Sequence, residues 1–204
     1  MSKTMGLVYD LRDDYLAEGY GEHEVAEFDT RDTVSRLAGA LEGLGWAVDL
    51  IGNGKALCRR LVAGDRWDLV FTIAEGLYGR SREAQVPAIL ELFAMPYTFS
   101  DPLTSALTLD KAATKRMLRA AGLPTPRSWT ITREADVPGG RLPFPLFAKP
   151  NAEGTGKGVD ERSRIDDAEQ LRRTYVRLLS EYAQPVLVEE YLPGREFTTG
   201  VLGT

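Results

Sequence analysis

Three short apolar runs, spaced by stretches of helical periodicity, limit what the first hundred residues can become. The runs are "GLVYD" (Gly6–Asp10), "WAVDLIG" and "WDLVFTIAEG". Between the first two, Val34, Leu37, Ala38, Leu41 and Leu44 recur at helical spacing from Thr33 onward, and Gly45 is a plausible stop. After the third, Val86, Ile89, Leu90 and Phe93 mark a second helix, and "PYTFS" reads as a further short strand. Strands alternating with helices predict a parallel sheet with helices packed on its faces. Ligands of such sheets bind at the carboxyl ends of the strands, where "TIAEG" falls. The acidic stretch "DLRDDYLAEGYGEHEVAEFD" is expected to be an exposed or mobile loop.

The pattern changes at "AGLPTPRSW". Gly122 can cap the helix "DKAATKRMLRAAG", and Pro124 and Pro126 prevent its continuation. Beyond it, "RSWTIT", "PLFAKP", "VDERSRI" and "PVLVEEYL" read as strands, with a helix carrying Leu171, Tyr175, Leu178, Leu179 and Tyr182 before the last. The expectation is an α/β chain in two parts. A small parallel α/β domain takes residues 1–105, and an α+β domain takes residues 106–204.

Composition removes several chemistries. Of the 204 residues, 43% are hydrophobic and 27% charged, as in a globular chain with a core. The net charge of −5 disfavours nucleic acid as a partner. No apolar run approaches the roughly 20 residues of a membrane helix, and "MSKTMGLVYD" has no apolar signal core. Cys58 is the only cysteine and His23 the only histidine, so disulfides within the chain and cysteine or histidine metal sites are excluded. A Ser-His-Asp arrangement would have to use His23, inside the acidic stretch. The cytoplasm is the natural compartment.

One segment invites a ligand. "FAKPNAEGTGKGVD" sets Lys149 at the end of an apolar run and places glycine at 154, 156 and 158. It is not a Walker A loop, because Lys157 is followed by Gly158, and it is not G-x-G-x-x-G opening a helix. Two readings remain open from the residues alone: a hairpin tip lying over a polyphosphate, or an ordinary flexible turn.

Taken in order, Asp110-Lys111 at a helix start, Lys149-Pro150, the glycine loop, "VLVEEYLPG" and "REFTTGVLG" resemble the ATP-grasp superfamily, and more closely the D-alanine–D-alanine ligases. The segment from Phe71 to Pro126 resembles that family's N-terminal-to-central junction almost throughout. The resemblance implies an ATP-grasp central domain behind a Rossmann-like N-terminal one. It implies ATP-dependent joining of a carboxylate to an amine through an acyl phosphate, with ATP, Mg2+ and small amino acids bound and a homodimer possible. On it, Lys111 and Lys149 match the two phosphate lysines, and the loop Glu153, Gly154, Thr155, Gly156, Lys157 and Gly158 closes over the triphosphate. Glu189 matches the acceptor of the adenine amino group, with Glu190 in the same segment. Leu192 matches the hinge whose backbone meets the ring, and Glu196 the ribose carboxylate. Within "GEHEVAE", Glu22 matches the residue that holds the first amino acid's ammonium group. Thr155 falls at a serine that joins that glutamate in a hydrogen-bonded group.

The chain also departs from the pattern. The family's H-G-x-x-G-E-D-G becomes "EGLYGRSR", so Glu75 replaces histidine, Arg80 an acid and Arg82 a glycine. Lys157 adds a cation to the loop. D-alanine is therefore a doubtful substrate, although the nucleotide residues are in place. The family's magnesium-binding acids and catalytic arginine are expected beyond Thr204. That leaves three expectations: a ligase or its first part, a non-catalytic nucleotide-binding module or remnant, or one chain of a split ligase.

Overall fold

The computed structural model describes residues 3–139 and 142–201. The chain divides into two compact units, Met1–Thr114 with Ala152–Lys157, and Lys115–Asn151 with Gly158–Thr204. The division falls at 114/115 instead of 105/106. The added segment, α5 (Pro102–Leu109), packs on the turn Arg82–Ala84. Asp110 after it is buried and paired with Arg80.

The first unit contains a parallel three-stranded sheet. Its strands are β1 (Thr4–Val8), β2 (Ala47–Gly52) and β3 (Leu69–Thr72), in the order β2-β1-β3. The central strand is buried on both faces. Adjacent residues of a strand point to opposite sides, and here Leu7 and Val8 enter different clusters. Val8 packs with Ile51, Leu57, Leu61, Trp67, Val70, Val86, Leu90 and Met95. Leu7 packs with Leu11, Val34 and Ala38. Gly6 is required because a Cβ there would sit 2.6 Å from Ile51 Cδ1.

Three helices around the sheet carry legible caps. α2 (Arg31–Gly43) begins where Thr30 Oγ1 accepts the Thr33 N–H. α3 (Gly54–Val62) begins where Asn53 Oδ1 accepts the Ala56 N–H. α5 has Asp101 as N-cap and proline in its first turn. α4 (Gln85–Leu92) buries Val86 and Leu90, as its spacing predicts.

Two expectations fail in this unit. The acidic stretch is not simply an exposed loop: it forms α1 (Arg12–Ala17) and buries Val25 and Phe28. Two acidic residues in the first turn, Asp13 and Asp14, suit a helix N-terminus. "PYTFS" is not a strand but a single bridge, Val70 to Tyr97. Phe99 takes a left-handed φ of 72° and turns the chain away.

The second unit is an antiparallel sheet with a helix upon it. α6 (Lys111–Ala120) leads into the unit and ends before Gly122, whose φ is 71°. The strands are β4 (Ser128–Ile131), β5 (Leu146–Pro150), β6 (Arg164–Ile165) and, after α7 (Ala168–Tyr182), β7 (Val186–Glu190). Their order is β4-β7-β5-β6. α7 sets Leu171, Tyr175 and Leu178 on one face against Ile131, Leu146, Ala148, Ile165, Val186 and Val188. The chain is thus α/β in its first unit and α+β in its second, as the alternation and the later run of strands predict.

Candidate functional site

β7 and β5 pair antiparallel with Glu189 opposite Phe147 and Lys149 opposite Leu187, so Glu189 and Lys149 are diagonal neighbours on one face of the second sheet. Glu189 Oε1 lies 2.5 Å from Lys149 Nζ. Its Oε2 accepts from Lys115 Nζ at 2.6 Å, and Lys115, on α6, also donates to Thr125 Oγ1 at 2.9 Å. Burial alone would push Glu189 up. The hydrogen bonds from Lys115 and then Lys149 outweigh it and hold the carboxyl below its usual value. Lys149 also lies over the Phe147 ring, which stacks on Tyr191.

The other residues expected around the nucleotide differ in setting. Glu190 receives the Arg127 N–H at 3.2 Å. Leu192 and Glu196 are exposed in irregular chain after β7. Gly158 has a φ of 79°, and a Cβ on it would sit 2.4 Å from Pro150 Cγ. Gly158 itself lies directly against Pro150, the last residue of the strand that carries Lys149.

In the first unit the loop residues gather around a buried arginine. The Gly154 N–H donates to Glu27 Oε1 at 2.6 Å, and Thr155 Oγ1 donates to the same oxygen at 3.4 Å. A Cβ on Gly154 would stand 2.9 Å from that oxygen, so a larger residue there would displace the Glu27 carboxylate. Arg82, 6% exposed, contacts Glu27 at 2.8 Å, Glu153 at 3.3 Å, and Glu75 and Glu83 each at 3.5 Å. Lys157 Nζ lies 3.3 Å from Glu153 and 3.9 Å from Glu27. Lys111 Nζ donates to the Glu153 carbonyl. Burial, followed by the charges of Glu83 and Glu27, pushes Glu75 up to about 7. Burial also raises Glu83.

Glu22 and Thr155, expected in one hydrogen-bonded group, are not brought together. Glu22 is exposed and pairs with Arg12. The carboxylate that meets Thr155 is Glu27, five residues later in the same acidic stretch, with 3% of its side chain exposed. Phe28 and Val25 are buried beside it and turn that part of the stretch inward. Glu27 also lines a cavity of ≈ 590 Å³ within this unit, together with Glu75, Glu83, Asp29, Thr98 and Thr155.

A family model described as "D-ala D-ala ligase C-terminus" matches residues 117–204. A D-alanine–D-alanine ligase of Marinomonas sp. (strain MWYL1) is 32% identical over 211 residues, covering 99% of this chain and 62% of the relative. Another, of Caulobacter sp. (strain K31), is 37% identical over 172 residues, covering 84% and 52%. The fold is similar to that of D-alanine–D-alanine ligase from Bacillus anthracis complexed with ATP, with TM-score 0.63 at 21% identity, covering 95% of this chain and 60% of that one. The chain thus spans between about half and 62% of the length of these two curated relatives.

Proposed function

We propose that this chain, a D-alanine–D-alanine ligase-like protein with the ATP-grasp fold, takes part in ATP-dependent formation of a peptide-like bond between small amino acids. ATP supplies the phosphoryl group that activates a substrate carboxylate as an acyl phosphate, from which an amine displaces phosphate. The observation that carries this reading is Glu189, a buried carboxylate kept ionised by two lysines at the end of β7. An ionised carboxylate is an acceptor only, suited to the exocyclic amine of adenine.

The chain's own residues then have distinct tasks. In the second unit Glu189 accepts the adenine amino group, Glu190 and Leu192 bound the ring, and Glu196 accepts from the ribose hydroxyls. Lys149 offsets phosphate charge. In the first unit Lys111 and the loop from Glu153 to Lys157 keep the phosphate role that the resemblance implies, and Gly158 anchors the loop. Glu27, in place of Glu22, accepts from the substrate ammonium group, with Thr155 orienting it. Among the described residues no three His, Cys, Asp or Glu side chains converge as metal ligands. The described residues by themselves therefore do not fit a resident Mg2+. The same reading places the protein in the cytoplasm as a homodimer. Among the described residues no helix is long and apolar enough to cross a membrane.

Calorimetric titration with ATP tests the nucleotide assignment. Lys149→Ala should weaken ATP binding about tenfold or more, the effect of one lost charge-assisted contact. Glu189→Gln should erode the preference for ATP over GTP. Unchanged affinity and preference in both variants would reject it. A panel of D- and L-amino acids, followed by phosphate release and dipeptide mass, tests the ligation. Glu27→Gln should raise the KM for the first amino acid, whereas Glu22→Gln should not.

A further inference from the structure

The two lysines that hold Glu189 are not equivalent. Lys115 has 8% of its side chain exposed and both of its acceptors, Glu189 Oε2 and Thr125 Oγ1, close by. Lys149 has 25% exposed, and its ammonium group holds the opposite oxygen, Oε1. A ligand reaching this face of the sheet can draw Lys149 away into better-solvated contacts. It cannot draw Lys115 away without leaving a buried ammonium group unpaired, which is costly.

We infer that Lys115 is a positioning residue for nucleotide recognition: it pins Glu189 Oε2 and keeps the carboxylate charged, so that Oε1 is offered as an acceptor to an amino-bearing purine when Lys149 turns to other ligand atoms. This rests on the proposed role of Glu189. The consequence for selectivity is chemical. A charged carboxylate can only accept, so it favours the amine of adenine and opposes the carbonyl at the equivalent position of guanine. A protonated carboxyl can donate to that carbonyl, and the discrimination shrinks. Burial pushes Glu189 toward the protonated form, and the hydrogen bonds from the two lysines reverse that. With Lys149 engaged elsewhere, only Lys115 opposes protonation. The charged groups facing Glu189 are Lys115 from α6 and Lys149 from β5. From β4, its register partner is the neutral Ser128, whose hydroxyl accepts from Arg119.

The test titrates the protein with ATP and with GTP at pH 6 and pH 8. Lys115→Met, Lys115→Gln, Lys115→Arg and Glu189→Gln are compared with the parent. The parent and Lys115→Arg should bind ATP alike at both pH values. Lys115→Met should lose about tenfold in ATP-over-GTP preference, the effect of one buried charge-assisted contact. It should also bind ATP less tightly at pH 6 than at pH 8, because the uncompensated carboxyl takes up a proton as pH falls. If Lys115→Met does not fold, Lys115→Gln carries the same decision, since it keeps a donor but not the charge. Folded Met or Gln variants with the parent's preference and a flat pH response would overturn the inference. So would equal losses in the Arg and Met variants, which would mark a packing role. If Glu189→Gln loses the preference while the Lys115 variants keep it, only the Lys115 assignment falls. If Glu189→Gln keeps it, or if the parent binds no ATP, the adenine role of Glu189 falls and this inference with it.

Discussion

Around the guanidinium of Arg82 stand four carboxylates, Glu27, Glu75, Glu83 and Glu153, and Lys157 reaches two of them, Glu27 and Glu153. Burial first, and then the negative charge of neighbouring glutamates, explains why Glu75 and Glu83 hold protons more tightly than usual. A pH dependence follows. Glu75 rises to about 7 in the folded chain from an ordinary 4.5, so the folded state binds the extra proton between those values. Its contribution to stability is complete at low pH and is lost as pH rises through about 7. Glu75→Gln should remove that loss and stabilise the protein at pH 8 by on the order of 1 kcal/mol, after allowing for solvent screening. Thermal melts at pH 5 and pH 8 would show it, and an unchanged difference between the two would rule it out. Arg82→Ala should act in the opposite sense, costing about 3–5 kcal/mol by leaving buried carboxylates unpaired. None of this was legible in the sequence beyond the odd presence of Arg82 in a glycine's place. Glu27 reaches Gly154 across most of the chain, and only the fold reveals which glutamate of an acidic stretch faces inward.

Among the elements, those whose pattern is dictated by one buried face were readable before any fold was known. α7 repeats its apolar residues at helical spacing because one stripe covers the sheet, and β5 and β7 are short apolar runs bounded by prolines, a glycine or charges. α1 was not readable, because its own residues are none of them buried and its polarity resembles that of a loop. α3 left a weak trace in Asn53 and the pair Leu57 and Leu61. The glycine loop shows how three identical residues serve different ends. Gly154 and Gly158 have close neighbours, whereas Gly156 has open space around it and a φ of 79°. Gly156→Ala should therefore cost only about 1–2 kcal/mol for the left-handed backbone. Gly158→Ala adds a collision with Pro150 and Tyr182 and should cost about 1–3 kcal/mol more. Urea denaturation of the two variants checks the ranking, and equal midpoints would refute it.

At the scale of the whole molecule, each unit encloses its own core, and cavity-forming substitutions should report on them separately. Leu178 is fully buried in the second unit, and Leu178→Ala should cost about 2–5 kcal/mol. Amide exchange should quicken in β4, β5 and β7 and stay unchanged in β1–β3. Equal quickening in both sheets would contradict the separation. The two-part architecture was visible in the sequence as a change from alternating strands and helices to a run of strands. The exact division was not, because it falls inside α6, where helical periodicity is continuous. The strand order of the second sheet also bears on how the chain emerges from the ribosome. β4 and β5 share no ladder: β4 pairs only with β7, the last strand of this sheet to be translated, and until then β5 has only the two-residue β6 beside it. The first sheet has all three strands available by Thr72. The nascent second unit, by contrast, must carry β4 and one edge of β5 unpaired until Glu190 has left the exit tunnel. During that interval a chaperone, or another unfinished chain, competes for the same edges.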